Sequence, residues 1–278
     1  MSRSIYRSRA SLTRRRRMTL ALQLEAASKA SLEQCNPDPL PKVFRDQVIP
    51  PVPRGNRNPP IESIEAFQEF LARQNSVTWL LTGDSLAGDT TEGGIHLANL
   101  LPGLIRNQNR QHDVFIVTDR RNDLLENLVR DLDDRVLRFA PQVVILTIGP
   151  AEILNQRNSL LELESLFHEA IQRMQDCGIT VIVNLPPCFS LRDEPDAVNH
   201  LIRLEGIRSC SKELGVLLID HWSAWEREHK SDWYCADRIH PSDQGILEIS
   251  QQIMREMGLY RDFPVAAAKS EANGPPVE

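Results

Sequence analysis

The chain lacks the features that mark metal-bound, disulfide-built or membrane-spanning proteins. Its five cysteines (Cys35, Cys177, Cys188, Cys210 and Cys235) are odd in number and widely scattered, with no Cys-x-x-Cys pair. That pattern argues against a zinc site and a disulfide framework, and for reduced thiols in a cytoplasmic setting. No apolar run approaches the roughly 20 residues that span a bilayer, so no transmembrane segment is expected. His96, His112, His168, His200, His221 and His229 show no metal-ligand spacing with cysteine or carboxylate. There is no glycine-rich phosphate loop and no internal repeat, and neither cofactor nor metal is expected. After Arg17 the segment Met18–Leu22 meets Gln23 and Glu25 before a signal-peptide core develops, which argues against secretion, although the paired arginines leave an arginine-type export route as the alternative.

What is present begins with charge. The formal net charge of -6 conceals an asymmetry, because Arg3, Arg7, Arg9 and Arg14 to Arg17 stand in a stretch with no acid. Such an arm could touch nucleic acid or an anionic membrane surface, but a solvated tail is the plainer reading. With 41% hydrophobic and 25% charged residues among 278, the rest has the composition of one ordinary globular domain.

Prolines crowd between Pro37 and Pro60 and push the residues before them away from helix, so residues 1–60 read as a basic arm and an extended linker. Residues 61–263 read as the folded domain and 264–278 as a loose tail. Within the domain, apolar runs alternate with segments of helical period, which predicts an α/β fold with a parallel sheet covered on both faces. The expected strands are Val77–Leu81, Val114–Val117, Val143–Ile148, Thr180–Val183 and Val216–Ile219, each short and nearly continuous in apolar residues. Helical spacing is clearest over Leu124–Val136, Leu160–Met174 and Ile246–Met257. Gly178 and Gly215 stand where helix C-termini favour glycine.

The chemistry concentrates at two distant places. Gly83-Asp84-Ser85-Leu86 follows the first strand, and Asp237-x-x-His240 lies near the other end of the domain. Together they supply a nucleophile, a base and an orienting carboxylate in the order Ser85, Asp237, His240. A serine just past the carboxyl end of a parallel strand is where an open α/β sheet gathers reactive groups. The plainer reading of Asp84 and Ser85 is a helix cap, and that of a lone His240 is a surface residue. Trp222, Trp225, Trp233 and Tyr234 read as core, with the lining of an acyl or sugar pocket as the alternative.

On these blocks the chain resembles the SGNH hydrolases, also called the GDSL esterase and lipase family. The likeness runs from about Val77 to Leu259 and is strongest at Thr82-Gly83-Asp84-Ser85-Leu86 and at Asp237-Arg238-Ile239-His240-Pro241-Ser242-Asp243-Gln244-Gly245. The resemblance implies a three-layer α/β/α sandwich with a five-stranded parallel, flavodoxin-like sheet. It also implies that Ser85 accepts an acyl group, His240 is the general base and Asp237 orients it. Family members cleave esters, and some thioesters, of lipids, sugars or small acyl groups.

The middle blocks depart from the family pattern. The family's oxyanion hole combines the serine amide with a glycine amide after the second strand and an asparagine side chain after the third. Here Thr118-Asp119-Arg120-Arg121 and Gly149-Pro150-Ala151-Glu152 stand at those places, which makes Ser85, Thr118 and Ala151 the corresponding positions. Alanine offers no side-chain donor, and losing one such donor costs about 10²- to 10³-fold in turnover. Asn122, Asn155 or Arg121 are candidate replacement donors, and Asp84, Asn122 and Asn155 are candidate substrate contacts. The expectation is a serine ester hydrolase acting on a small-molecule acyl, sugar or lipid ester; the alternative is a catalytically impaired relative that binds or scaffolds.

Overall fold

The computed structural model describes residues 61, 63–86, 95–189, 197–228 and 230–259. The expected basic arm, its linker and the tail lie outside these residues. Five strands form one sheet: β1 (Thr78–Gly83), β2 (Val114–Val117), β3 (Val143–Thr147), β4 (Thr180–Asn184) and β5 (Leu217–Ile219). All neighbours pair in parallel, in the order β2-β1-β3-β4-β5. These are the strands expected from the sequence, with ends shifted by one or two residues.

The helices are α1 (Ile64–Ala72), α2 (Leu97–Arg106), α3 (Leu125–Arg130), α4 (Leu132–Arg135), α5 (Pro150–Leu154), α6 (Leu160–Asp176), α7 (Ala197–Glu213), α8 (His221–Glu228) and α9 (Asp243–Glu256). Successive strand side chains point to opposite faces, so each central strand feeds two cores. Leu80, Val144, Leu146, Val181 and Val183 pack with Leu128, Phe167 and Ile207 from α3, α6 and α7. Trp79, Leu81, Val143, Ile145 and Ile182 face Phe67, Leu101 and Ile249 from α1, α2 and α9. Three layers result. Because both faces of β1, β3 and β4 are covered, their sequences read as unbroken apolar runs rather than alternating ones.

Helix boundaries follow local chemistry. Ser159 opens α6 with a capping box, accepting from Glu162 N–H while the Glu162 carboxylate accepts from Ser159 N–H. The helix closes at Gly178, whose φ of 77° fits the left-handed position after a C-cap. One expectation needs correction. The periodic stretch Leu124–Val136 is not one helix but α3, α4 and a 3₁₀ turn at Leu137–Phe139. The break falls at Asp131, whose φ of -100° and ψ of 12° leave the helical region. Its carboxylate accepts from the Arg130 and Arg120 side chains, an arrangement hydrophobic spacing cannot reveal.

Candidate active site

In this strand order the chain reverses direction across the sheet between β1 and β3, and such a switch opens a crevice at the strands' carboxyl ends. β1 delivers Gly83, Asp84 and Ser85 there. Gly83 has φ +89°, and a Cβ on it would stand 2.2 Å from the Thr147 carbonyl oxygen, so only glycine fits between β1 and β3. Asp84 N–H donates to that same Thr147 carbonyl at 2.9 Å. The chain then turns, with Asp84 Oδ1 accepting from Leu86 N–H at 2.7 Å and Leu86 at φ 57°.

The other Asp84 oxygen is buried and has no hydrogen-bond partner. It lies against Gly149: a Cβ there would come within 2.0 Å of Asp84 Oδ2. The glycine after β3 therefore leaves room for the carboxyl after β1. Burial raises the Asp84 carboxyl from its ordinary 3.8 to about 7, against the Leu86 hydrogen bond and the nearby charge of His240. Asp84 and His240, from opposite ends of the domain, thus influence each other electrostatically.

His240 is held from its own loop. Its Nδ1 lies 2.6 Å from Asp237 Oδ2, while Asp237 Oδ1 accepts from the backbone N–H groups of Ile239 at 2.9 Å and His240 at 3.0 Å. Arg238, at φ 59°, makes the turn that folds the carboxylate back onto the ring. Burial by itself would raise the Asp237 carboxyl, but the His240 ring and the two backbone donors outweigh it and bring it down to about 2. A carboxylate ionised at neutral pH can only accept, so Nδ1 of the neutral ring carries the hydrogen and Nε2 is left with a lone pair. Cys235 N–H donates to the His240 carbonyl at 2.9 Å, and Ser242 caps α9 by accepting from Gly245 N–H, which fixes both ends of the loop.

The two altered blocks pack where their counterparts would. Beyond β2 the chain continues as a parallel bridge between Asp84 and Arg120. Thr118 N–H donates to Leu81 O, Arg120 N–H to Gly83 O and Ser85 N–H to Arg120 O. The amides of Thr118 and Ser85 are thus engaged by the sheet's extension. Ala151 lies in the first turn of α5 with no polar side chain to contribute. Asn155 ends α5 and accepts from Arg157 N–H at 3.0 Å, a local use, while its Nδ2 is buried without a partner. Asn122 makes a left-handed turn at φ 52°. Neither asparagine is linked by a described contact to Ser85.

Sequence reasoning did not find the buried polar layer beneath the crevice. Arg135 lies 2.7 Å from Asp123 and donates to the Thr118 carbonyl at 2.8 Å. Arg203 donates to the Glu152 carbonyl at 3.1 Å and lies 3.4 Å from its carboxylate, whose other oxygen accepts from Leu125 N–H at 2.7 Å. Burial raises the carboxyls of Asp123 and Glu152, each opposed by its arginine. Single charges separated along the chain, as Glu152 is from Arg203, carry no periodic signal, so this layer is legible only in the fold. Trp222, Trp225 and Trp233 are buried, as core residues should be. A concavity of about 350 Å³ lies between α8 and α9, lined by Asp220, Arg227, Glu248 and Gln252 but by none of Ser85, Asp237 and His240.

A parallel α/β sandwich carrying a serine after β1 and an Asp/His pair before its last helix belongs to the class of SGNH-type hydrolase folds. Residues 63–246 match the model of the GDSL-like Lipase/Acylhydrolase family, and the chain belongs to that family. Solved structures agree on the fold. An alpha/beta hydrolase enzyme, LAE5, from the metagenome of Lake Arreo is 18% identical with a TM-score of 0.57, covering 67% of this chain and 97% of its own. Axe2, an acetylxylan esterase from Geobacillus stearothermophilus, is 17% identical with a TM-score of 0.57 and the same coverage of 67% and 97%. A search of curated proteins gave no match. Among the described residues, no helix is long and apolar enough to cross a membrane and no group of His, Cys, Asp or Glu could hold a metal ion.

Proposed function

We propose that this chain is a serine ester hydrolase that works through an acyl-enzyme, with Ser85 as nucleophile, His240 as base and Asp237 as its orienter. The observation that carries the reading is the Asp237–His240 pair: a carboxylate of low pKa fixes the ring tautomer so that Nε2 can take a proton. Ser85 Oγ attacks the acyl carbon and passes its proton to His240 Nε2, and the carbonyl π pair moves onto oxygen. Collapse expels the alcohol, which takes that proton, and water repeats the sequence to free the acid. A short acyl ester of a polyol or sugar is the favoured substrate, since the structural neighbour Axe2 is an acetylxylan esterase. Free thiols at Cys177, Cys188, Cys210 and Cys235 fit a cytoplasmic setting.

The test is turnover of p-nitrophenyl acetate by the protein and by Ser85→Ala, with fluorophosphonate labelling alongside. The parent should turn over and label, and Ser85→Ala should do neither. Equal rates for both would remove Ser85 from the mechanism. A second reading, an impaired relative that binds without cleaving, is favoured by one specific observation. The Ser85 and Thr118 amides are both engaged, and Ala151 has no side-chain donor. Under that reading the parent itself fails to label.

A further inference from the structure

Proton transfer from Ser85 to His240 needs two loops in register: the turn at the ends of β1 and β3, and the loop that runs straight into α9. α9 rests on the sheet through Ile246, Ile249 and Ile253, which share one cluster with Ile145 and Ile182. Apolar packing is non-directional, so it sets how far the helix stands from the sheet rather than where along it. One buried polar chain crosses that apolar layer. Thr147, whose carbonyl accepts from Asp84 N–H, has its hydroxyl oxygen 3.3 Å from Asn184 Nδ2. Asn184 Oδ1 lies 2.6 Å from His221 Nε2, and His221 Nδ1 lies 2.8 Å from Oε1 of Gln252 on α9. Gln252 Nε2 ends the chain by donating to the Asp220 carbonyl at 3.3 Å. The side chains of Thr147, Asn184, His221 and Gln252 are all buried, a placement that costs stability unless each is bonded.

We propose that His221 is a positioning residue: with Asn184 and Gln252 it forms a strut that fixes α9, and so His240 just ahead of it, in register with the end of β3 that holds the Ser85 turn. This rests on the hydrolase reading above. Burial lowers the His221 imidazolium from 6.5 to about 4, against the Gln252 hydrogen bond, so the ring is neutral at neutral pH. A neutral ring donates from one nitrogen and accepts at the other. The Asp220 carbonyl, by engaging Gln252 Nε2, directs the Gln252 oxygen at Nδ1, which therefore carries the hydrogen. A half-turn of the Asn184 amide brings its NH2 to Nε2, a turn the Thr147 hydroxyl tolerates because it donates as readily as it accepts. The ring is thus held on both sides by directional bonds, where an apolar side chain of similar size would let α9 slide. A misplacement of about 1 Å between reacting groups costs up to about 10²-fold in rate.

The experiment compares the full chain with His221→Leu, which fills the ring's place without polar atoms, and His221→Gln, which restores a donor and an acceptor. Each is assayed on p-nitrophenyl acetate well below its own melting temperature. His221→Leu should lower kcat by about 10- to 100-fold with KM within about twofold of the parent, and slow fluorophosphonate labelling of Ser85 by a similar factor. His221→Gln should recover most of both. In a His240→Ala background the change to Leu should leave the residual rate as it is, since no base remains to be placed. A further loss there would show that His221 does not act through His240, and overturns the proposal. So does a folded His221→Leu whose kcat lies within about threefold of the parent. Thr147→Val, which keeps the volume and the backbone carbonyl, carries the test if His221→Leu does not fold: kcat should fall by about 3- to 10-fold, and an unchanged kcat overturns the proposal. If the parent itself neither turns over nor labels at Ser85, the hydrolase reading has failed, a result distinct from an active parent that tolerates His221→Leu.

Discussion

Replacing Asp84 with Asn removes one ionisation and almost no volume. The side chain is 3% exposed, its Oδ1 holds Leu86 N–H and its Oδ2 has no partner. Burial lifts the carboxyl from 3.8 to about 7. In the unfolded chain the group loses its proton near the ordinary value, while the fold retains it to about 7. The unfolded state therefore sheds its proton first, and the parent's stability falls as pH rises from about 4 to about 7, then levels off. Across that window the gap amounts to about 4 kcal/mol. Asn keeps the acceptor for Leu86 and has no such ionisation. Its Nδ2 finds no acceptor, but neither does the hydroxyl of the neutral acid, so near pH 4 the two proteins should agree within about 1 to 2 kcal/mol. At about pH 8.5, Asp84→Asn should exceed the parent by several kcal/mol more than it does at about pH 4.5. Urea unfolding followed by tryptophan fluorescence at both pH values isolates the effect, because all other titrations cancel in the difference. A pH-dependent difference below about 1 kcal/mol would refute the burial argument.

Two further substitutions test neighbouring parts of the structure. Asp237→Asn should reduce kcat by up to about 10⁴-fold, since an amide can leave the His240 ring in the wrong tautomer; a pre-steady-state or steady-state esterase assay reads it. The same change removes a carboxyl whose folded pKa lies low, at about 2. The parent's added stability is present above 3.8 and lost as pH falls through about 2, so the gap between the two proteins should close in acid. Glu152→Ala strands Arg203, which is 6% exposed, and leaves Leu125 N–H without its acceptor. It should cost about 3 to 5 kcal/mol in denaturant unfolding, whereas Glu152→Ala with Arg203→Met should cost less than the single change.

Legibility in the sequence followed physical range. β1, β3 and β4 could be read because both faces are covered, which turns each into an unbroken apolar run such as Val143-Val144-Ile145-Leu146. Gly178 could be read because a helix C-terminus has one strong local demand. The break at Asp131 could not, since it depends on Arg120, a residue from another loop. At the site, the Asp237–His240 pair was legible because three residues separate its members. The state of the oxyanion donors was not: whether Ser85 N–H faces the cleft depends on a carbonyl at position 120, reached only after β2 is laid beside β1. The Asp84–Gly149 contact is of the same kind. Each residue is ordinary in the sequence, and only the register of β1 against β3 makes one the hollow for the other.

The two unusual blocks have a common physical consequence. A glycine after the second strand lets a chain bend away and expose its amide, but Thr118-Asp119-Arg120 continues in extended form and pairs onward with Gly83 and Ser85. That pairing rigidifies the nucleophile's turn and engages the amides an oxyanion would use. Ala151 then offers no side-chain donor, only the backbone N–H of a residue in the first turn of α5. Substituting glycine at Arg120 should therefore have a definite signature in an active enzyme. If the extended bridge is what closes the Ser85 amide, Arg120→Gly loosens it and should raise kcat on p-nitrophenyl acetate above that of the parent. An unchanged kcat would mean that the pairing of Ser85 N–H with the Arg120 carbonyl does not limit the reaction.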